Sequence, residues 1–488
     1  MNSKDLQPTN LFHYFYEISQ IPRPSKREEK IIAYLKAFGK KHNLETKVDE
    51  AGNLLIKKSA TQGKEHLQTV ILQSHVDMVC EKNSDVNHNF LNDAIQIEIN
   101  GEWMKAKGTT LGADNGVGVA SELAILAATD IEHGPVECLF TVDEETGLTG
   151  AFAIKEGFMN GDILLNLDSE DEGELFIGCA GGINTVGTFN YEEISVPTEY
   201  FFFKVTVKGL KGGHSGCDIH LGRGNANKIL NRFLTQTVNK YDMYLCEIDG
   251  GNLHNAIPRE AYAVCAVPNE AKHALRADIN IFIAEIEDEY SVADPDLTII
   301  LESETPHSLA IDKNTAARLL KTVHALPHGV YAMSQDIPDL VETSTNVASI
   351  KMRENNAICI GTSQRSSIIS ACKNMATTVR SVFELGGAEV QSNDGYPGWK
   401  PNPQSKILKI AMDSYKKLFG EDAKVKAIHA GLECGLFLAK YPSLDMISFG
   451  PTIREVHSPD EKIYIPSVEK FWKYLIEVLR NVPERIEP

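Results

Sequence analysis

The sequence predicts two domains: an α/β domain with a largely parallel sheet, and an α+β domain inserted into it that carries a duplicated β-α-β-β-α unit. Three observations point there. The chain has 488 residues, more than one hydrophobic core usually organises. Helix and strand signals alternate over residues 1–189 and resume over 396–488, as they do when helices cover both faces of a parallel sheet. Across 190–395 the texture changes to runs of strands with alternating polarity, the mark of sheets with one covered face.

In the first segment, residues 26–42 (KREEKIIAYLKAFGKKH) have the apolar spacing of an amphipathic helix. TVILQSHVDMV (69–79) is an apolar strand whose end turns polar, and NGVGVASELAILAATD (115–130) reads as a buried helix of small and apolar residues. CLFTVDEETG (138–147) and DILLNLDSED (162–171) are again apolar strands that break into acidic residues. In the inserted segment one copy of the unit spans about 200–290 and a second about 297–384, with LTIILES opening the second copy and Asn255 and Asn346 at comparable places. After the turn-rich SNDGYPGWKPNP, a helix at 404–418 and the strand LDMISFG (444–450) complete the first domain.

Composition narrows the function. Lys and Arg number 48 against 67 Asp and Glu, a formal charge of −19, which argues against nucleic acid and anionic membrane as partners because both demand a basic surface. Nine scattered cysteines with no C-x-x-C pair suggest neither a disulfide framework nor a thiolate metal site. No apolar run approaches the length of a membrane span and the N-terminal residues lack a signal-peptide core, so a reducing cytoplasm is expected.

Four segments combine metal-ligand residue types: His75-Val76-Asp77, Gly112-Ala113-Asp114-Asn115-Gly116, Asp143-Glu144-Glu145-Thr146-Gly147 and Leu167-Asp168-Ser169-Glu170. Three of them follow apolar strands, at the carboxyl edge where open α/β sheets gather their sites. A fifth, His457-Ser458-Pro459-Asp460-Glu461, follows the last strand. Residues i and i+2 of a strand share a side, so Asp77 can accept a hydrogen bond from one ring nitrogen of His75 and fix the tautomer that ligates a metal. Glu144 and Glu145 point apart if extended, leaving one carboxylate for a metal and the other for reacting water. Two imidazoles and three carboxylates without a thiolate suit a pair of divalent ions, Zn²⁺ first, with Co²⁺ or Mn²⁺ as substitutes; a shared carboxylate can bridge ions ~3.5–4 Å apart. Taken singly, each motif reads as well as a turn, a helix cap or a solvated acidic loop. All five together do not.

The same residues resemble the dizinc aminoacylase/glutamate-carboxypeptidase-like metallopeptidases, and within them the aminoacyl-histidine dipeptidases (bacterial carnosinases). SHVDMVCEK, GTTLGADNGVGVA, TVDEETGLTGA, NLDSEDEGELFIGCAGG, GLKGGHSGCDIHLGRGNANK, NAIPRE, DGYPGWKP, HAGLECG and FGPTIREVHSPDE carry the likeness over nearly the whole chain. The resemblance implies a dizinc catalytic domain with a lid inserted at 190–395, and a homodimer acting on small peptides. It makes His75 and Asp168 terminal ligands of one zinc, Glu145 and His457 those of the other, and Asp114 the bridging carboxylate. It makes Asp77 the orienter of His75 and Glu144 the general base, with His214 and Asn255 facing substrate from the lid. Arg365 is assigned on chemistry as a carboxylate anchor, and Asp171 and Glu433 as acceptors for a substrate amine. His429 divides evenly between site loop and scaffold, and Cys434 reads as a packing residue. The expected activity is hydrolysis of unblocked dipeptides, preferentially Xaa-His. The alternatives are an N-acyl-amino-acid deacylase or carboxypeptidase on the same site, and an inactive binding protein of the same fold.

Overall fold

The computed structural model describes residues 6–485, which divide into two compact units. The first holds the described residues up to Cys179 together with Trp399–Ala427 and Leu432 onward; the second holds Ala180–Gly398 and the short return Ile428–Gly431.

The first unit is built on an eight-stranded sheet. Its order is Glu45–Val48, Leu54–Lys58, Val136–Thr141, Val70–His75, Ile163–Asn166, Asp445–Ser448, Glu174–Cys179 and Lys424–Ile428. Four central strands, from Val136–Thr141 to Asp445–Ser448, run parallel, while Leu54–Lys58 and Glu174–Cys179 flank them antiparallel. VILQSH, VECLFT and ILLN are buried at every position, which is why they read as unbroken apolar runs rather than as alternating ones. The helix Ala113–Ala127 is buried along almost its whole length, so small residues on all its faces let it lie close between the sheet and the helix Thr9–Ser19. Among the described residues no helix is long and apolar enough to cross a membrane.

The second unit carries an antiparallel sheet in the order Thr298–Ser303, Tyr200–Lys208, Ala261–Pro268, Tyr244–Gly250, Val341–Arg353, Ala357–Ser366, Gly181–Asn190 and Glu389–Ser392. Apolar residues of the helices Ala226–Lys240, Lys272–Tyr290, Lys313–Ala325 and Ile369–Leu385 join those of the strands in one core. Strand pairing corrects the expected limits of the duplication. Thr298–Ser303, expected to open the second copy, pairs with Tyr200–Lys208 and closes the first half. The second half opens instead on Gly181–Asn190, so the first half is inserted within the second. Asn255 and Asn346 are accordingly not equivalent: Asn346 is buried inside Val341–Arg353 and donates to the Ala256 carbonyl at 2.8 Å, whereas Asn255 is exposed in the preceding loop.

Candidate metal centre and substrate loops

The first unit gathers five ligand-type side chains at the carboxyl ends of its parallel strands. His75 closes the strand Val70–His75 and is 1% exposed. Its Nδ1 lies 3.2 Å from the Asp77 carbonyl and 3.4 Å from Asp77 Oδ1. Asp77 is fully buried and accepts three further hydrogen bonds, from Glu144 N (3.0 Å), Glu145 N (3.2 Å) and Ser25 Oγ (2.8 Å). One carboxylate therefore holds both the imidazole and the turn carrying the two glutamates. These contacts keep it ionised, down to about pH 2: burial opposes ionisation, and the bonds from His75, Ser25 and Glu144 outweigh it.

Asp114 stands between two imidazoles. Its Oδ1 is 3.1 Å from His75 Nε2, and its Oδ2 is 3.2 Å from His457 Nε2. Each imidazole also has a carboxylate of its own, Asp168 Oδ1 at 3.4 Å from His75 and Glu145 Oε2 at 3.1 Å from His457. Asn115, next to Asp114, donates to Asp168 and to the Leu167 carbonyl. The local backbone fits this convergence: Gly112 (φ 68°), Asp143 (φ 51°) and His457 (φ 60°) all occupy the left-handed region, which tight turns at functional sites use. Glu144 and Glu145 are not in extended chain; they open the short helix Glu144–Gly147. Successive side chains still diverge there, because each helical residue turns the direction by about 100°.

The electrostatics are those of an excess of carboxylate in a dry place. Burial pushes Glu144 well above the usual carboxylate range; His75 opposes this, and Asp168, Glu145 and Glu433 add to it. Burial likewise lifts Asp168 to about 6 against the pull of His75, and Glu170 to about 8 with help from Asp114 and Asp168. His457 is pushed up to about 11 by its hydrogen bonds to Asp114 and then Glu145. For His75, burial favours the neutral ring, but Asp168, Asp114 and Asp77 outweigh it and raise its pKa. Such a cluster asks for cations. His75, Asp114 and Glu145 each offer a ligand atom within 4.8 Å of the others, and Glu145 Oε1 is buried without a hydrogen-bond partner. Imidazole and carboxylate donors without thiolate suit divalent ions of the zinc and manganese type.

Beneath these side chains lies a layer that the sequence reading missed. Gln73 donates to Glu433 (2.6 Å) and accepts from Asn166 (2.6 Å), which in turn accepts from Ser448; Thr141 also donates to Glu433 (2.9 Å). Gln73 and Asn166 sit two residues before His75 and Asp168, on the same side of their strands. Polar residues at that offset within apolar strands were the available signal. Glu433 is 1% exposed in this layer, and Asp171 is paired with Arg454 at 2.7 Å. Both proposed amine acceptors thus already have protein partners.

In the second unit the strand pair Gly213–His214 and Ala256–Ile257 brings His214 beside the Asn255 loop, and Ser215 N donates to the Asn255 carbonyl at 2.8 Å. His214 Nδ1 accepts from Cys217 N at 3.0 Å, so its proton sits on Nε2. Burial, then Arg365, lowers its pKa to about 4, which leaves a neutral N–H donor at physiological pH. Arg365 is 5% exposed; it donates to Tyr396 Oη at 2.8 Å and approaches Ser215 Oγ at 3.4 Å. Among the described residues no carboxylate lies within 4 Å of its guanidinium. His429 is buried nearby, 2.7 Å from Ser344 Oγ, and is held neutral by burial and by Arg365 and His214.

A parallel α/β sheet ending in clustered imidazoles and carboxylates defines a metallohydrolase, and comparison with known proteins gives the family. Residues 71–481 match the model of peptidase family M20/M25/M40, and the chain belongs to it: it is a metal-dependent peptidase. The chain is 42% identical over 480 residues to the cytosol non-specific dipeptidase of Escherichia coli (strain K12), covering 98% of this chain and 99% of that one. The crystal structure of aminoacylhistidine dipeptidase from Vibrio alginolyticus superposes with a TM-score of 0.92 at 44% identity, over 100% of this chain and 99% of that one. A tripeptidase from Staphylococcus aureus shares the fold at 17% identity, with a TM-score of 0.57 and coverage of 98% and 99%.

Proposed function

We propose that this chain is a cytoplasmic dipeptidase with two zinc ions, acting on small unblocked dipeptides and preferring Xaa-His. One observation carries the dinuclear reading: the two oxygens of Asp114 face different imidazoles, each with its own second carboxylate. His75 and Asp168 would then hold one ion and Glu145 and His457 the other, with Asp114 serving both. The ions, once bound, supply the Lewis acidity that polarises the scissile carbonyl and acidifies water. Glu144, partly buried among carboxylates, takes the proton of the attacking water and delivers it to the leaving amine. Asp77 acts through others, orienting His75 and fixing the Glu144–Glu145 turn.

The second unit is read as a lid over 190–395 that supplies the substrate contacts. His214 Nε2–H donates to the developing oxyanion, and Arg365, lacking an acidic partner, takes the substrate α-carboxylate with Asn255 beside it. The relatives support a dipeptide substrate over an N-acyl amino acid, since both similar full-length proteins are named dipeptidases. One is named non-specific and the other for histidine, so the preference is the finer part of the proposal. A homodimer is proposed from the same likeness. The test is kcat/KM with Zn²⁺ for Xaa-His, Xaa-Ala and Xaa-Leu dipeptides, a tripeptide and an N-acetyl amino acid. Xaa-His is expected fastest. Equal rates on all dipeptides would remove the histidine preference, and faster cleavage of the acetylated compound would replace the dipeptidase by a deacylase.

A further inference from the structure

The turn that presents Asp114 is gripped from two sides by buried charge. Glu461, 2% exposed, receives four consecutive backbone N–H groups. Its Oε2 accepts from Leu111 (2.7 Å) and Gly112 (2.9 Å), and its Oε1 from Ala113 (2.7 Å) and Asp114 (3.3 Å). Asp114 (ψ 113°) and Asn115 (φ −101°) depart from helical geometry, so these N–H groups lie in the irregular turn ahead of the regular helix, and the carboxylate satisfies them with charge-assisted bonds. From the other side Arg23, 3% exposed, donates through Nη2 to the Gly112 carbonyl, and through Nη1 to the carbonyls of Val76 (3.0 Å) and Asp77 (2.9 Å). The guanidinium therefore ties the Asp114 turn to the segment carrying His75 and Asp77.

We propose that Glu461 and Arg23 are positioning residues that aim Asp114 at two cations at once, and so set the affinity of both ions together. This rests on the reading of Asp114 as a bridging ligand. A terminal ligand serves one ion and can shift without disturbing the other. A bridging carboxylate must direct two oxygens along two lines, which requires its backbone to be fixed in both position and rotation. Glu461 fixes the backbone through its N–H groups and Arg23 through a carbonyl, leaving the Asp114 side chain free to meet His75 on one side and His457 on the other. Glu461→Gln turns an amide NH₂ toward N–H groups that need an acceptor. Arg23→Lys keeps the charge but cannot span three carbonyls.

The experiment is Zn²⁺ titration of the metal-stripped full-length chain by calorimetry, with circular dichroism to confirm folding. Wild type is expected to bind two ions and His457→Ala to lose one. E461Q and R23K are each expected to bind both ions about 10–100-fold more weakly, the scale for residues that support ligands, with an unchanged metal-free spectrum. Wild-type affinity in both variants, or loss of a single ion as in H457A, would overturn the proposal. Should E461Q not fold, R23K carries the same comparison, and failure of both to fold would assign the pair to scaffold stability and overturn it as well. Only one ion in wild type would sink the dinuclear reading, while the clamp would still be read on that ion's affinity.

Discussion

His457 shows how much one residue of this site depends on its neighbours. It is half-exposed, yet hydrogen bonds to Asp114 and Glu145 raise it to about 11 in the metal-free chain, against about 6.5 when unfolded. A raised histidine stabilises the fold fully below the unfolded pKa, and that contribution fades as pH climbs through the folded one. The thermal midpoint of the stripped wild type should therefore exceed that of stripped H457A most below about pH 6.5, and the gap should close toward pH 11. Metal needs the neutral ring, so zinc affinity should rise over the same window, and adding Zn²⁺ at pH 7 to the stripped protein in weak buffer should release protons. A pH-independent gap between the two midpoints would contradict the assignment. Glu144 gives a second residue-scale expectation. Glu144→Gln keeps the shape but cannot accept the water proton, so kcat should fall on the order of 100-fold with both ions still bound, as measured by elemental analysis beside steady-state kinetics.

Among the elements, the helix Ala113–Ala127 and its N-terminal turn decide the site. Gly112 has φ 68°, and a Cβ built there would stand 2.5 Å from Arg23 Nη2 and 2.9 Å from Met78 Sδ. Gly63 has φ 82° with nothing within 4 Å of the same imagined atom. Gly63→Ala should cost only the roughly 1–2 kcal/mol of a left-handed backbone and leave metal binding alone. Gly112→Ala should pay that and displace Arg23 too, so calorimetric unfolding should show a larger drop and zinc titration a weakened protein. Comparable losses in the two variants would mean that close approach at Gly112 is unimportant. The strands were legible because each is a local apolar run ending in a polar cluster. The layer of Gln73, Asn166 and Ser448 was not, since single polar residues in apolar strands look like noise until pairing sets them side by side.

At the scale of the whole molecule, the two units carry different chemistry, clustered imidazoles and carboxylates in the first and neutral or cationic donors in the second. If Arg365 takes the substrate carboxylate, Arg365→Ala should lower kcat/KM for free dipeptides on the order of 10–100-fold, the worth of hydrogen bonds to a charged group at roughly 1.5–3 kcal/mol. Dipeptide amides, which lack that carboxylate, should be cleaved by the variant and the wild type at similar rates. An equal loss on both substrates would make Arg365 part of the scaffold.

By itself the sequence determined the α/β class, the inserted strand-rich segment and the polar endings of the parallel strands, because periodicity and turn chemistry are written within a few neighbouring residues. Its motifs also sufficed to indicate the metallopeptidase family. Only the tertiary structure decided which carboxylate faces which imidazole, that one half of the second sheet is inserted within the other, and that Glu461 reaches back some 350 positions to hold the Asp114 turn. Contacts of that separation are created by strand pairing and packing, and a single sequence carries no local trace of them.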